Sequence, residues 1–391
     1  MTPDPIDLPV RLSEASELAN LIFEHAEGKP LSDEMRTRLA GRAALLRMAT
    51  VRPYFGSLSR DPVHPSSYYL SVDGVSGQPL LLHIALSTAP TSSIFFKPTL
   101  IGRTRRPLGP EMVINAIPFR PEDRESLSQF AASIDPAFLP RPSGARPSIE
   151  LLAEAPRATF PAAFDTFRSI LKRTGQNLAA IAAPPGADYA DVYFSALWAA
   201  VRSGWREGYS AGAEFTATDE RMESVKEATL DTAAFTRFRV DTSFFLDPHP
   251  QASESQRFGR SLQAAELAYE WIRQTRSALK TGRSFDFELS LRRTPGATTP
   301  EELAYCLGSL RSEGHAAQLV APQLAGVADI DSYVAALAAV ARDFQCVLSF
   351  AANAPLETVG RAARGRVSLT VAAGPADAAE ALHRAAEALA V

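Results

Sequence analysis

At 391 residues with 46% hydrophobic content, the chain is longer than one average domain and has ample apolar material for a large core. Its 44 acidic and 40 basic residues leave a formal net charge of -4, which gives neither the basic field of a nucleic-acid binder nor a strongly acidic tail. Its two cysteines, Cys306 and Cys346, form no disulfide framework and no paired-cysteine metal motif. The opening MTPDPIDLPVRLSEASEL places prolines and acids where a signal peptide needs a basic and then an apolar run. No apolar run reaches membrane-spanning length, so a cytoplasmic protein with no membrane anchor is expected.

In chain order, 12–27 and 32–50 read as amphipathic helices, with Ser13 and Ser32 placed to cap them. From residue 67 the pattern changes to short strands at 68–72, 79–86, 93–101 and 112–118, broken by Asp73-Gly74, Pro90 and Gly109-Pro110. Arg103, Arg105 and Arg106 read as a turn beside Pro107. A helix over 121–133 and then Pro136, Pro140, Pro142 and Pro147 lead out of this region. The reading is an α+β N-terminal domain over 1–145 and a second domain over 146–391.

The second domain repeats one unit, clearest at 283–326. Phe285, Phe287, Leu289 and Leu291 alternate with Asp286, Glu288 and Ser290, as in a strand with two different faces. Thr299, Pro300 and Glu302 then make a capping box with proline at the first helical position, and Gly314 suits the helix end. Strands are predicted at 149–155, 159–164, 209–215, 237–244, 285–291, 316–321, 346–351 and 366–372, mostly separated by helical patterns. The first connection is too short for a helix, which puts one of the first two assignments in question. Repeated right-handed β/α crossovers over about 245 residues close most economically as a (β/α)8 TIM-type barrel. A doubly wound open sheet is the alternative, disfavoured because no glycine-rich phosphate loop follows a strand. The fold class is thus α/β, a C-terminal (β/α)8 barrel preceded by a smaller α+β domain.

Active sites of such barrels lie at the C-terminal strand ends, which here carry Glu154, Glu214, Asp241, Glu288 with Arg292 and Arg293, Gln323, Asn353 and Thr370. Carboxylates at a shared mouth can hold a divalent cation or divide acid–base work, but each is equally consistent with a structural ion pair, for example Glu288 with Arg292 or Arg239. Histidine is scarce there: of six, only His249 follows a strand toward the mouth.

The segments FDFELSLRRTPGATTPEE (285–302), LVAPQLAG (319–326), CVLSFAANAPLE (346–357) and GRVSLTVAAG (365–374) resemble, in order, the tagaturonate/fructuronate epimerase family. Weaker echoes are FDTFRSILKRTGQ, WAAVRSGWREGYSAGAEFTAT, FTRFRVDTSFFLD and NAIPFRPED. The resemblance implies a barrel and, in its intact form, metal-dependent inversion of a hydroxyl-bearing carbon in keto-hexuronic acids. The departures fall at the chemistry. Glu214, Asp241 and Glu288 match family acids, but Phe215, Phe244, Phe245 and Phe350 stand in place of its histidines and acids. Two further acids are Arg292 and Arg293, the sixth-strand arginine is Gln323, and Ala354, Pro355, Ser368 and Thr370 replace other polar positions.

Phenyl rings cannot ligate a metal, and guanidinium groups reverse the charge that would hold one. The sequence therefore reads as a pseudoenzyme or a ligand- or partner-binding barrel without a cofactor. The alternative is a sugar-acid epimerase or isomerase, with Asp241, Glu288 and Glu214 as catalytic groups and Arg292, Arg293, Gln323 and Asn353 binding substrate. Its variant with a divalent metal would use Glu214, Asp241, Glu288 and His249. The expected partner is an acidic small molecule or a protein chain, homo-oligomers included, and not nucleic acid. The phenylalanines are expected to converge in the mouth, with Glu288 paired to arginine.

Overall fold

The computed structural model describes residues 8–390 except 47, 90–97, 106–108, 119–123, 248, 250–251, 280–283 and 352. The chain divides into two compact units, Met1–Leu139 with Leu197–Glu207, and Pro140–Ala196 with Gly208–Val391.

In the first unit, α1 (Leu12–Ala26) and α2 (Asp33–Ala43) precede an antiparallel sheet of β1 (Arg52–Pro53), β2 (Ser59–Arg60), β3 (Ser67–Asp73), β4 (Pro79–Leu86), β5 (Thr99–Arg105) and β6 (Glu111–Pro118), ordered β1-β3-β4-β6-β5 with β2 on β3. Ser32 caps α2 by accepting from the Met35 amide, whereas Arg11 rather than Ser13 stands at the α1 cap. Arg103 and Arg105 belong to β5 rather than to a turn. Residues 93–97 of the predicted strand and 121–123 of the predicted helix lie outside the described residues; α3 spans Arg124–Ser133. Period-two alternation gives the sheet two environments. Tyr68, Leu70 and Val72 join Leu18, Ile22 and Phe23 in the main core, while Ser67, Tyr69, His83 and Asn115 point to the other face.

The second unit is a closed parallel barrel, with α-helices between its strands. Its strands are β7 (Ser148–Ala153), β8 (Ala179–Ala183), β9 (Ser210–Thr216), β10 (Arg237–Asp241), β11 (Asp286–Ser290), β12 (Leu319–Ala321), β13 (Val347–Phe350) and β14 (Val367–Ala373). The helices are α4 (Pro156–Thr174), α5 (Tyr189–Ser203, of which residues 197–203 fall in the first unit), α6 (Glu223–Asp231), α7 (Glu254–Ala278), α8 (Pro300–Ser312), α9 (Ile330–Asp343), α10 (Leu356–Ala362) and α11 (Ala378–Leu389). Both halves of the capping box at Thr299 and Glu302 form, with a second at Ser253 and Gln256.

One strand assignment is corrected. Residues 159–164 lie inside α4, where Phe160, Ala163, Phe164, Phe167 and Ile170 bury one helical face. The missing strand is β8, AAIAA, buried on both faces. A parallel strand covered on both sides shows no alternation, and alanine carries no β signal.

Candidate functional site: a charged barrel interior under a small mouth

Barrel interiors are usually filled by branched aliphatic side chains. Here the inward positions of β7, β10, β11, β13 and β14 carry Ser148 and Glu150, Arg237 and Arg239, Glu288, Ser349, and Ser368 and Thr370, all buried. The closure of β14 on β7 sets Ser368 against Ser148 and Thr370 against Glu150. Arg237 donates to Glu288 from Nε at 2.9 Å and Nη2 at 2.5 Å, and from Nη1 to Ser368 at 3.0 Å. Arg239 donates to Glu288 Oε1 at 2.5 Å, to Glu150 at 2.6 Å and to Glu214 at 3.0 Å. Gly212 on β9 makes this possible, because a Cβ there would overlap Glu150 Oε1.

The electrostatics follow from the pairing. Burial alone pushes the Glu288 carboxyl up, but Arg237, Arg239 and Arg292 outweigh it and hold it well below the ordinary carboxylate range. Burial likewise opposes ionisation of Glu150, and Arg237 and Arg239 reverse the balance. Arg239, depressed by burial, is raised well above its usual value by Glu150, Glu288 and Glu214. Both oxygens of Glu288 are engaged, so neither is a free base. Below this layer Asp286 accepts from the Ser143 and Gly144 amides at 2.6 and 2.9 Å, closing the N-terminal end.

Above the layer is a cavity of about 260 Å3, lined in part by Leu152, Ala182, Pro184, Glu214, Arg292 and Asn353. Its polar groups are only partly satisfied. Glu214 accepts from Arg239 with one oxygen and is 22% exposed, and its second oxygen has no hydrogen bond among the described residues. Arg292 makes a long contact of 3.4 Å to Ser349 and lies 4.0 Å from Glu288. Burial, reinforced by Arg239, lowers its pKa to about 10. Asn353 is exposed, and its side chain makes no hydrogen bond among the described residues.

Of the residues singled out from the sequence, Glu214, Arg292 and Asn353 therefore meet at the cavity, and Glu288 lies sealed beneath it. Asp241, Arg293, Gln323, His249 and Glu154 do not line it, whereas Thr370 does. Asp241 accepts from the Ser243 amide at 2.9 Å and pairs with Arg293 at 3.2 Å. Gln323 is occupied with backbone, its side-chain nitrogen donating to the Arg292 carbonyl and its oxygen accepting from Leu324 and Ala325. His249 is exposed.

The convergence of phenylalanines is also corrected. Phe215 adjoins the inward Glu214 and therefore faces out, where its ring centroid is 5.8 Å from that of Phe238. Phe350 faces out for the same reason beside Ser349, and Phe244 is half exposed, edge-on to Phe245. The mouth is thus not filled by rings. Sequence reading missed Glu150 and Arg237; both have strand parity with residues that face in, which was the available signal.

The resemblance to metal-dependent enzymes raises the question of a divalent ion. The donor set does not fit one: guanidinium groups occupy Glu150 and Glu288, and among the described residues no group of three or more His, Cys, Asp or Glu side chains is placed to hold a metal. No described helix is long and apolar enough to cross a membrane.

No family model matches the chain, and no curated protein matches it. Among solved structures, the native crystal structure of fructuronate-tagaturonate epimerase from Cohnella laeviribosi is similar to it at a TM-score of 0.63 and 18% identity, over 87% of this chain and 75% of that one. Its one-glycerol complex gives 0.59 at 16% identity, over 87% and 74%, and its two-glycerol complex 0.62 at 18%, over 86% and 74%. At such identity the likeness shows the fold alone: this chain has the fold of the fructuronate-tagaturonate epimerase, the family that its sequence motifs resemble.

Proposed function

We propose that this epimerase-like barrel binds a small organic anion at its mouth and lacks metal-dependent epimerase chemistry. The observation that supports this most is that Arg237 and Arg239 occupy Glu150 and Glu288, the buried carboxylates at the barrel centre. A carboxylate held ionised between guanidinium groups neither ligates a metal nor takes up a proton near neutral pH. Arg292 faces the cavity with its charge only partly compensated, and its planar donors suit a carboxylate.

Metal analysis, calorimetry and an epimerase assay test the proposal together. The protein is expected to hold no stoichiometric divalent ion and to leave tagaturonate and fructuronate unchanged with Mg2+, Mn2+ or Zn2+ added. Binding of an organic acid should weaken in Arg292→Gln. A tightly held ion at one per chain, or metal-dependent turnover, would overturn the proposal.

A second reading rests on Glu214, whose unengaged oxygen faces the same cavity as Arg292. In this version Arg292 holds a substrate carboxylate, Glu214 takes the proton from the adjacent carbon as its electron pair passes into that carboxylate, and a proton is returned to the carbon from Glu214 or solvent, making the protein an isomerase or epimerase for a sugar acid without a metal. Exchange of that carbon-bound hydrogen in D2O, followed by NMR and abolished in Glu214→Gln, would establish it. A full spectrum of sugar acids showing no exchange would remove it.

A further inference from the structure

The cavity also limits what its occupant can be. This inference rests on the anion-binding reading of Arg292 and extends it to the rest of the ligand. In the closed ring β7 stands four strands from β11, so Leu152 on β7 lies across the barrel from Arg292, which follows β11. Ala182 and Pro184, at the end of β8, continue that apolar wall, and Ala351 after β13 extends the apolar lining. Among the described lining side chains, polar capacity left for a ligand lies on Arg292, Asn353, one oxygen of Glu214 and the acceptor side of the Thr370 hydroxyl, none of them on that apolar wall. Thr370 already donates to Glu150 at 3.0 Å, Arg237 is spent on Glu288, and Arg239 is spent on Glu288 and Glu150.

A polyhydroxylated acid needs a partner for each hydroxyl removed from water, and a methyl-lined wall offers none. An aliphatic chain on that wall needs none and gains by leaving water. The volume of about 260 Å3 is also below the ≈300–1,000 Å3 common for drug-sized ligands. We infer that the preferred ligand is a small aliphatic monocarboxylate, such as a branched 2-oxo acid, with its carboxylate on Arg292 and its hydrocarbon body against Leu152, Ala182 and Pro184, rather than a sugar acid.

The test is calorimetry on the whole chain in the presence of a chelator, with 2-oxoisovalerate, D-glucuronate and the uncharged isobutanol as probes. Wild-type protein is expected to bind 2-oxoisovalerate at least tenfold more tightly than glucuronate and to bind isobutanol undetectably. Arg292→Gln should weaken both acids more than tenfold, and Leu152→Ser should narrow the preference between them. The wild-type comparison needs no variant, so it stands even if a substitution disturbs folding.

Glucuronate binding as tightly as the oxo acid, with both weakened in Arg292→Gln, would overturn the ligand class and leave the anion site intact. Binding of neither acid, or binding indifferent to Arg292→Gln in a variant whose circular dichroism matches wild type, would overturn the anion site and the ligand class with it.

Discussion

The barrel interior and the second face of the N-terminal sheet bury titratable groups in opposite ways. In the barrel, Glu288 lies between Arg237 and Arg239 and stays charged. In the sheet, His83 sits between Ser67, 2.6 Å from Nε2, and Asn115, 3.4 Å from Nδ1, with the Tyr69 ring stacked at 5.0 Å. These neighbours satisfy a neutral imidazole, and burial lowers its pKa to about 4 despite the pull of Asp61. A dry interior accepts an ionisable side chain if its charge is matched or if it sheds the charge. The residues around it decide which.

Removing one matched charge should have the largest effect. Glu288→Gln keeps the shape but leaves Arg237 without a countercharge within hydrogen-bonding distance, since Glu150 is 3.6 Å from its Nε. Breaking such a pair from one side typically costs about 3–5 kcal/mol, although the intact pair need not stabilise the fold by that amount. The expected outcome is a fall of that size in urea-unfolding stability of the barrel. A loss under about 1 kcal/mol would show that water reaches the pair and would end the contrast with the sheet. Because the folded pKa values of Glu288 and Glu150 are depressed, their contribution is present above the ordinary carboxylate range and is lost only as pH falls below it.

The sheet should respond at higher pH. His83 binds its proton less readily folded than unfolded, so its contribution is complete above 6.5 and is lost as pH falls from 6.5 toward about 4. A shift of that size corresponds to about 3 kcal/mol at most. Hydrogen exchange at β3 and β4, corrected for intrinsic rates, should show protection falling between pH 6.5 and 4.5 while β10 and β11 stay protected. His83→Gln should flatten that fall. A barrel that loosens first, or a variant with an unchanged pH profile, would contradict this account.

Gly212→Ala sharpens the barrel side of the contrast without altering any charge. The new Cβ would collide with Glu150 Oε1 and come within 3.3 Å of the Ile181 carbonyl, so Glu150 must shift and its bond to Arg239 through Oε2 is put under strain. Overpacking of this kind costs about 1–3 kcal/mol, readable as a lower urea midpoint. An unchanged midpoint would mean that the carboxylate can shift without losing its partner.

The sequence shows the fold best where the signals are local. The alternation at 285–291 and the Thr299 cap need only near neighbours, and both appear as read. β8 gave no such signal, because a run of alanines around Ile181 is equally consistent with helix. For the site, an inward acid has the same letter as an outward one, so the letters alone do not separate the buried Glu150 from the exposed Glu154. Of the two arginines the sequence offers Glu288, Arg239 bonds it and Arg292 stands 4.0 Å away, while Arg237 has no local signal, since partner choice depends on which strands adjoin. Glu214 and Phe215 are adjacent in one strand and cannot both point inward, so strand parity alone argues against rings converging there.

The smallest expected effect separates two neighbours with the same side chain. Arg292 and Arg293 follow the same strand, yet Arg292 lines the cavity while Arg293 is 59% exposed and reaches Asp241 instead. An exposed partner contributes little even to a buried carboxylate, because water can take its place and the freed side chain regains conformations. Asp241 also keeps the Ser243 amide. Arg293→Ala should therefore change stability by about 1 kcal/mol or less and leave organic-acid affinity within about twofold of wild type, against a loss above tenfold in Arg292→Gln. If the two variants weaken binding equally, the anion is held by a paired clamp at the rim, and the barrel's unmatched charge belongs to both arginines rather than to Arg292.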